Sequence, residues 1–148
     1  IEHAKLEIER DKTPGLQYEV TDITESNIRK SDLIVAYYTL QFVPRRDREK
    51  ILKKIYKGLN PGGAFLIFEK VRASTSRLQD MISLLYNDFK LDNGYSGNEI
   101  IAKARSLKGV LEPISSEENL YALRKAGFSA ASTLYKQLCF EGFLAVKD

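Results

Sequence analysis

The fold of this chain is decided by residues 54–68, which read KIYKGLNPGGAFLIF. The first part ends an amphipathic helix predicted from Pro44 to Leu59, because apolar residues recur there at helical spacing. A Pro-Gly-Gly turn follows, and then a short apolar run, Ala64 to Phe68. Asp32 to Tyr38 is a similar run before the helix, and both runs are typical of strands buried on both faces of a sheet. The order strand, helix, strand predicts a layered α/β fold with a mostly parallel sheet.

Local signals place further elements on both sides of this unit. Ile1 to Arg10 is predicted to be helical, and Leu16 to Val20 to be a short strand. Downstream we predict two helices, a capped helix and an antiparallel hairpin that turns at Glu141-Gly142. Their bounds are Ser76 to Lys90, Ser96 to Leu107, Ser115 to Gly127, Thr133 to Phe140 and Phe143 to Lys147. No linker or repeat divides residues 1–148, so we predict a single domain with a helical insertion at about 76–107.

Composition narrows the class of protein. The 148 residues are 43% hydrophobic and 29% charged, which is ordinary for a globular domain, and the net charge is +3. This mild excess of positive charge leaves direct nucleic-acid binding open, because no base-reading motif accompanies it. No apolar stretch approaches the roughly 20 residues that cross a bilayer, so we expect no membrane partner.

The cysteine and histidine content bears on location and on nucleophilic chemistry. The single cysteine, Cys139, cannot close an internal disulfide, which favours a reducing compartment and a cytoplasmic location. The only histidine, His3, lies at the far end of the sequence, so Cys139 is predicted to be buried and inert. The sequence therefore assigns no catalytic residue and no metal site.

Polar residues follow the predicted strands directly, where ligands of open α/β sheets bind. These positions are Asp22-Ile23, Tyr37 to Gln41, and Glu69-Lys70. From the residues alone, Asp22 also fits a solvated turn, Tyr37 an aromatic cap on a buried strand, and Glu69-Lys70 an exposed ion pair. We assign Glu69-Lys70 no chemical role.

The decisive segment, Leu59 to Phe65 after an amphipathic helix, resembles the motif before the fifth strand of class I S-adenosylmethionine-dependent methyltransferases. Asp32 to Val35 resembles their fourth strand, and the terminal hairpin resembles their sixth and seventh. The resemblance implies a Rossmann-like sheet of strand order 3-2-1-4-5-7-6, of which this chain supplies the C-terminal portion and lacks the first two strands. The glycine-rich cofactor loop belongs to the missing portion, so we predict that further residues precede Ile1.

A narrower resemblance covers nearly the whole chain. The segments that carry it are similar to the carboxy-S-adenosylmethionine synthase family: Thr39 to Phe42, Lys54 to Ala64, Glu69-Lys70, Asn87 to Lys90, Asn93 to Ser96, Glu99-Ile100 and Leu123 to Phe128. These enzymes use prephenate to convert S-adenosylmethionine into the carboxymethyl donor for wobble-uridine modification in tRNA. The resemblance implies S-adenosylmethionine or its carboxylated form as the cofactor and prephenate as the small-molecule substrate. We also expect a homodimer, because the helical insertion offers a contact surface or a cover for the site.

The resemblance carries over to individual residues. Asp22-Ile23 matches the family's Asp-Ile after the third strand, which implies that the Asp22 carboxylate accepts a hydrogen bond from the adenine amino group and the Ile23 N–H faces the ring. Tyr37 stands where the family has a cofactor-facing asparagine. The family's carboxylate-binding arginine falls at Ala104, and Arg105 follows it. One helical step rotates a side chain by about 100 degrees, so Arg105 reaches the cofactor only if the helix shifts register.

These two departures leave the reaction open. Because of Tyr37 and Ala104, ordinary methyl transfer to a small molecule or to tRNA is the first alternative to a carboxy-S-adenosylmethionine synthase. The second alternative is a non-catalytic remnant that serves oligomerisation or partner binding. A dinucleotide-dependent oxidoreductase has a similar sheet, but the Pro-Gly-Gly turn and the terminal hairpin argue against it.

Overall fold

The computed structural model describes Gly15 and residues 17–148, and the predicted helix Ile1 to Arg10 lies outside them. The described elements are β1 (Ser31–Tyr37), a short 3-10 helix (Leu40–Phe42), α1 (Arg45–Gly58), β2 (Leu59–Lys70), α2 (Ser76–Asp92), α3 (Gly97–Ser106), α4 (Ser116–Ala126), β3 (Ala130–Gln137) and β4 (Phe140–Val146). The helices predicted downstream of the Pro-Gly-Gly turn are therefore all present. Ser96 and Ser115 begin α3 and α4 with capping boxes.

The four described strands form one sheet in the order β1-β2-β4-β3. β1 pairs with β2 in parallel, whereas β4 is antiparallel to both β2 and β3. This order is the 4-5-7-6 half expected from the resemblance, so the predicted fold class is confirmed. One of the three described pairings is parallel.

The Pro-Gly-Gly turn lies within β2 as a bulge. Ser31 of β1 pairs with Leu59, but Leu33 pairs with Ala64, so the residues between Leu59 and Ala64 bulge out of the ladder. The Asn60 side chain donates a hydrogen bond to the Asp32 carboxylate over 2.8 Å, and this bond joins the bulge to β1. The turn therefore interrupts the ladder before the apolar part of β2 begins.

The hydrophobic core lies between one face of the sheet and the helices α1 and α4. Alternate residues of β2 and β4 point into it, and the helices contribute apolar side chains at helical spacing. Phe128, just after α4, packs against Phe65 and Tyr56 at ring-centroid distances of 6.0 and 5.1 Å. The fully or nearly fully buried members include Ile51, Ile55, Leu59, Phe65, Leu123, Phe128 and Phe143.

The opposite face of β1 is open, so the expectation that this strand is buried on both faces is wrong. Leu33, Val35 and Tyr37 are 54%, 52% and 66% exposed. The apolar composition of β1 is typical of a strand, but β1 is an edge strand of the described sheet and only one of its faces meets α1 and the core. An apolar edge of this kind is a surface that folded proteins normally cover.

The prediction of a strand at Leu16 to Val20 is also wrong for the four residues of it that the structure describes. Gln17 to Val20 have no regular secondary structure and are exposed. A strand is stabilised by its ladder partner, and none of the four described strands pairs with these residues.

The hairpin between β3 and β4 turns at Leu138-Cys139 and not, as predicted, at Glu141-Gly142. Leu138 takes the left-handed backbone conformation there, with φ of 52°. Gly142 lies inside β4, opposite Phe68 of β2. A Cβ atom at this position would sit 2.7 Å from the Phe68 ring. The glycine therefore makes room for an aromatic side chain on the neighbouring strand and does not form a turn.

Replacing Gly142 with alanine tests this packing. We expect Gly142→Ala to destabilise the full-length gene product by roughly 1–3 kcal/mol, because the added methyl group overlaps the Phe68 ring. Phe68→Ala removes both overlapping ring atoms, so the double variant should lose less stability than the sum of the two single variants. Urea unfolding measures all three. Strict additivity would show that the ring does not occupy this space.

Candidate functional site at the carboxyl ends of the strands

A buried glutamine fixes the loop that follows β1. The Gln41 side-chain oxygen accepts a hydrogen bond from the Lys70 backbone N–H at 2.8 Å, at the end of β2. The Gln41 carbonyl accepts one from the Glu112 N–H at 2.9 Å, in the segment that precedes α4. Gln41 therefore joins the loop after β1 to the end of β2 and to the segment before α4, and its burial strengthens these bonds by excluding water.

Glu69 is buried directly beside this glutamine. It is 3% exposed, and its Oε1 accepts a hydrogen bond from the Leu40 N–H at 3.0 Å, at the start of the 3-10 helix. Burial raises the pKa of Glu69 to about 7, although backbone donors of Leu40 and Gln41 and the charge of Arg48 act in the opposite direction. The expected ion pair with Lys70 is wrong, because alternation along β2 directs the two side chains to opposite faces of the sheet.

Arg48 stabilises the same region from α1. Its guanidinium donates hydrogen bonds to the carbonyls of Val43 and Glu112 at 2.8 and 2.6 Å. No local sequence signal indicates this role, because Arg48 occupies an ordinary polar position of the helix pattern. Its contacts depend on the loop after β1 and the segment before α4 meeting at one place.

Five aromatic rings line the carboxyl edge on the open face of the sheet. Tyr37 lies 4.5 Å from Tyr38 and 5.5 Å from Phe68 between ring centroids. Phe140 continues the row, at 5.5 Å from Tyr38 and 5.2 Å from Tyr86 of α2. These distances are typical of tilted and edge-to-face pairs, so the row forms a continuous apolar floor.

Asp22 lies in an exposed turn ahead of β1. Its Oδ1 accepts hydrogen bonds from the Thr24 N–H at 2.8 Å and from the Thr24 hydroxyl at 2.7 Å. These donors lower the pKa of Asp22, so the side chain is a carboxylate at neutral pH. Lys54 of α1 stabilises the turn by donating hydrogen bonds to the carbonyls of Thr24 and Ser26. Ile23 packs against the hydrophobic core.

The other two predicted cofactor residues are both exposed. Tyr37 ends β1 on the open face, where its ring continues the aromatic floor. Arg105 lies in the last turn of α3, whereas its neighbours Lys103 and Ala104 line a cavity. No hydrogen bond among the described residues links Asp22 to Tyr37 or Arg105. The roles of Asp22, Ile23, Tyr37 and Arg105 in binding a cofactor stay predictions.

Two cavities adjoin the ends of the strands. One, of about 460 Å³, lies among α1, α4 and the core-facing side of the sheet and is lined by Arg48, Glu69 and Ile114, among others. Because none of the predicted cofactor residues lines it, we assign it no cofactor. The other, of about 440 Å³, lies between α2, α3 and the ends of β2 and β4. We call it the lysine cavity, because Lys70, Lys90 and Lys103 line it.

Cys139 is buried in the wall of the lysine cavity, so its predicted burial is confirmed. Burial raises the pKa of its thiol, and the charges of Lys70 and Lys90 only partly oppose this effect. The thiolate form is therefore disfavoured. Lys70 and Lys90 lie far from Cys139 in the sequence, so only the fold brings these two basic side chains near the thiol.

Two negative findings concern residues 17–148 and Gly15. No group of three or more His, Cys, Asp or Glu side chains is arranged to hold a metal ion within this described part. None of the helices found there has the length and apolar character needed to cross a membrane.

Comparison with known proteins identifies the family. The family described as "Methyltransferase domain" matches residues 1–67. The carboxy-S-adenosyl-L-methionine synthase of Staphylococcus epidermidis is 40% identical over 126 residues, which is 85% of this chain and 55% of the relative. The chain belongs to the class I S-adenosylmethionine-dependent methyltransferase superfamily. Within the superfamily it is close to the carboxy-S-adenosyl-L-methionine synthases, as the narrower resemblance predicted.

Two further comparisons cover almost the whole of this chain. The synthase of Campylobacter lari is 36% identical over 149 residues, which is 97% of this chain and 63% of that relative. The chain thus spans between half and two thirds of the length of these two relatives. The apo structure of the S-adenosylmethionine-dependent methyltransferase SibL has a TM-score of 0.68 at 14% identity, covering 99% of this chain and 40% of that one. At such low identity the similarity concerns the fold.

The buried carboxyl group of Glu69 predicts a specific pH dependence of stability. Because its folded pKa of about 7 lies above the ordinary value of 4.5, its contribution is complete below pH 4.5 and is lost as the pH rises through 7. Glu69→Gln keeps an oxygen acceptor for Leu40 but cannot ionise. We expect the wild type to lose roughly 1–3 kcal/mol relative to this variant between pH 5 and pH 8.

Urea unfolding of the full-length gene product at several pH values measures this difference. Glu25→Gln serves as the control, because Glu25 is exposed and should give a curve parallel to the wild type. Parallel curves for Glu69→Gln as well would show that Glu69 does not titrate abnormally.

Proposed function

We propose that the protein is an S-adenosylmethionine-binding transferase of the carboxy-S-adenosylmethionine synthase type. The observation that carries this proposal is 36–42% identity to synthases of that name over 82–97% of the chain. Under this proposal prephenate is the second substrate, the product serves tRNA modification, and the protein acts in the cytoplasm. Tests of this activity require the full-length gene product, because the chain spans only part of its relatives.

The residues predicted to bind the cofactor fit it chemically. The Asp22 carboxylate only accepts hydrogen bonds, and the adenine amino group only donates them. Two Thr24 donors already hold Oδ1, which orients the carboxylate and leaves Oδ2 for a ligand. Tyr37 provides a ring and one hydroxyl donor at the end of β1. We therefore place the adenine beside Asp22-Ile23 and the remainder of the cofactor toward Tyr37.

Group transfer from the cofactor depends mainly on alignment, so these residues do not need to include a nucleophile–base pair. When bound, S-adenosylmethionine supplies an electrophilic carbon on a positively charged sulfur. In this protein Gln41 and Glu69 hold the loop after β1 in one position relative to β2. Glu69 itself points away from Tyr37, so we assign it a positioning role through the Leu40 N–H and no proton transfer.

Ordinary methyl transfer is the alternative favoured by two positions. Tyr37 replaces a cofactor-facing asparagine, and Ala104 occupies the cavity wall where the synthase family has its carboxylate-binding arginine. Mass spectrometry of ligand released from the purified full-length gene product distinguishes the two reactions. A carboxylated adduct supports the synthase, whereas S-adenosylmethionine or its demethylated product supports methyl transfer.

A homodimer is supported by the surface of α2. Leu78, Met81 and Leu85 lie on one side of this helix at spacings of three and four residues and are 45%, 53% and 54% exposed. An exposed apolar stripe of this kind is typical of a surface that packs against a partner. We propose that two copies pair through α2.

Titration with S-adenosylmethionine tests the proposed cofactor site. We expect Asp22→Ala to weaken binding at least about tenfold, because a hydrogen bond to a charged group contributes roughly 1.5–3 kcal/mol. Glu25→Ala is the matched control, since it removes an exposed carboxylate three residues away. Isothermal titration calorimetry on the full-length gene product measures both. Absence of binding by the wild type would instead support a non-catalytic remnant.

A charge placed in the α2 stripe tests the dimer. We expect the double variant Met81→Glu and Leu85→Glu to halve the molar mass measured by light scattering, because burying two carboxylates at an interface is costly. Helix content measured by circular dichroism should stay unchanged, since both residues are exposed in the described structure. A wild-type protein of monomer mass, or a variant that remains dimeric, would contradict pairing through α2.

A further inference from the structure

Three buried polar side chains gather around the cavity of about 460 Å³ among α1, α4 and the core-facing side of the sheet, which we call the core-side cavity. Arg48, Glu69 and Asn119 line it and are 8%, 3% and 8% exposed. Five polar or charged residues are buried in the described part of the chain, so most of them surround this one cavity. Cavities that stay empty are usually apolar, whereas this one carries polar groups that need partners.

All three side chains have hydrogen-bonding capacity left over. The Glu69 carboxylate has about four acceptor positions, and backbone donors of the loop after β1 occupy at most three of them. The Asn119 amide nitrogen donates to the Ser115 carbonyl at 3.1 Å, but its oxygen accepts no hydrogen bond from the described residues. Arg48 uses Nε and Nη2 for backbone carbonyls, and its Nη1 has no partner within residues 17–148. The cavity therefore offers both acceptors and donors to a ligand.

The charges around the core-side cavity are already balanced. The Arg48 guanidinium is close enough to Glu69 for its charge to oppose the effect of burial on the pKa of that carboxyl. Four more charged side chains line the mouth of the cavity as two ion pairs, Arg45 with Glu118 and Lys125 with Glu49. A charged ligand would lose its hydration without gaining an unpaired partner of opposite charge. The arrangement therefore favours an uncharged ligand.

The same two ion pairs provide an entry path. Each pair joins α1 to α4, and the four side chains are 39–60% exposed. Exposed ion pairs contribute little to stability, so they can separate while the helices stay packed on the sheet. A small molecule can then reach Glu69 and Asn119 from solvent.

The rest of the wall indicates the kind of ligand that fits. Leu52, Ile67, Ile114 and Leu123 line the cavity and are all buried apolar residues. Water would leave this apolar surface unused, whereas a small organic molecule would cover it. A primary amide at one end of such a molecule has two N–H donors and one carbonyl acceptor. These groups complement the free acceptors and the free donor of the cavity.

We propose that the core-side cavity binds a small uncharged molecule with an apolar body and a primary amide group. The amide N–H groups donate to Glu69 and Asn119, the amide carbonyl accepts from Arg48, and the apolar body lies against Leu52 and Ile67. The inference goes beyond the proposed function, because none of the predicted cofactor residues lines this cavity.

NMR titration of the full-length gene product with 2-phenylacetamide tests the site. A pH of 8 keeps most Glu69 side chains ionised, because the pKa of Glu69 is about 7. We expect Asn119→Leu to weaken binding at least about fivefold, since an N–H group of the ligand loses its acceptor. Asn98→Leu is the matched control, because Asn98 is exposed on α3 and is absent from the cavity walls.

A second variant fills the cavity without removing a polar group. Ala122 of α4 lines the cavity and is only partly buried, so we expect Ala122→Phe to abolish detectable binding of 2-phenylacetamide. Ala102→Phe, on the exposed surface of α3, is the matched control and should bind as the wild type does. Unfolding temperatures establish that each variant is folded.

Two further ligands identify the group that binds. Methyl phenylacetate keeps the apolar body and the carbonyl but has no N–H, and 2-phenylethylamine carries its donors on a positive charge. We expect both to bind at least tenfold more weakly than the amide. Failure of the amide to bind, equal binding of the ester, tighter binding of the amine, or unchanged affinity in Asn119→Leu and Ala122→Phe would overturn the proposal.

Titrating the same variants with S-adenosylmethionine separates this inference from the proposed function. We expect Asn119→Leu and Ala122→Phe to bind the cofactor as the wild type does, since neither side chain belongs to the assigned cofactor site. A wild-type protein that binds the amide but not S-adenosylmethionine would refute the proposed function and leave the amide site standing. The opposite result would overturn the amide site alone.

Discussion

The parallel pairing of β1 with β2 is the constraint on which the candidate site depends. Its register places Tyr37 beside Phe68, so both strands end at the same edge of the sheet. Once the strands are paired in this way, the loop after β1 must pass over the end of β2. Gln41 and Glu69 stabilise that crossing with buried hydrogen bonds. Polar groups buried without these partners would be costly, so the two side chains favour one arrangement of the loop.

The same pairing divides the sheet into two chemically different faces. Ile67 and Glu69 point toward α1 and α4, where the core excludes water. Phe68 and Lys70 point to the other face, where the aromatic floor and the lysine cavity lie. A shift of one residue in the register of β2 would exchange these faces, placing Lys70 in the core and Glu69 in the lysine cavity. Neighbouring positions in the sequence thus contribute to two chemically different faces.

The helices α2 and α3 add a wall to the carboxyl edge that the sheet cannot form by itself. Tyr86 packs against Phe140 of β4, and this contact sets the position of Lys90 one turn further along α2. The Tyr86–Phe140 ring pair joins this wall to the sheet, while Leu78, Met81 and Leu85 are exposed. An element of this kind can contribute both to a binding site and to a contact between subunits.

The sequence by itself determined the elements whose signals are local. Helical spacing predicted α1, and the capping residues Ser96 and Ser115 predicted the starts of α3 and α4. The segment Leu59 to Phe65 indicated the fold class. Tertiary structure decided what depends on a distant partner: the open face of β1, the place of Gly142 inside β4 beneath Phe68, and the meeting of Lys70 with Lys90 at the Tyr86 ring. The physical reason is that capping and periodicity involve residues within about one helical turn. Burial, pKa and the sharing of a ring by two cations instead depend on residues that only the folded chain brings together.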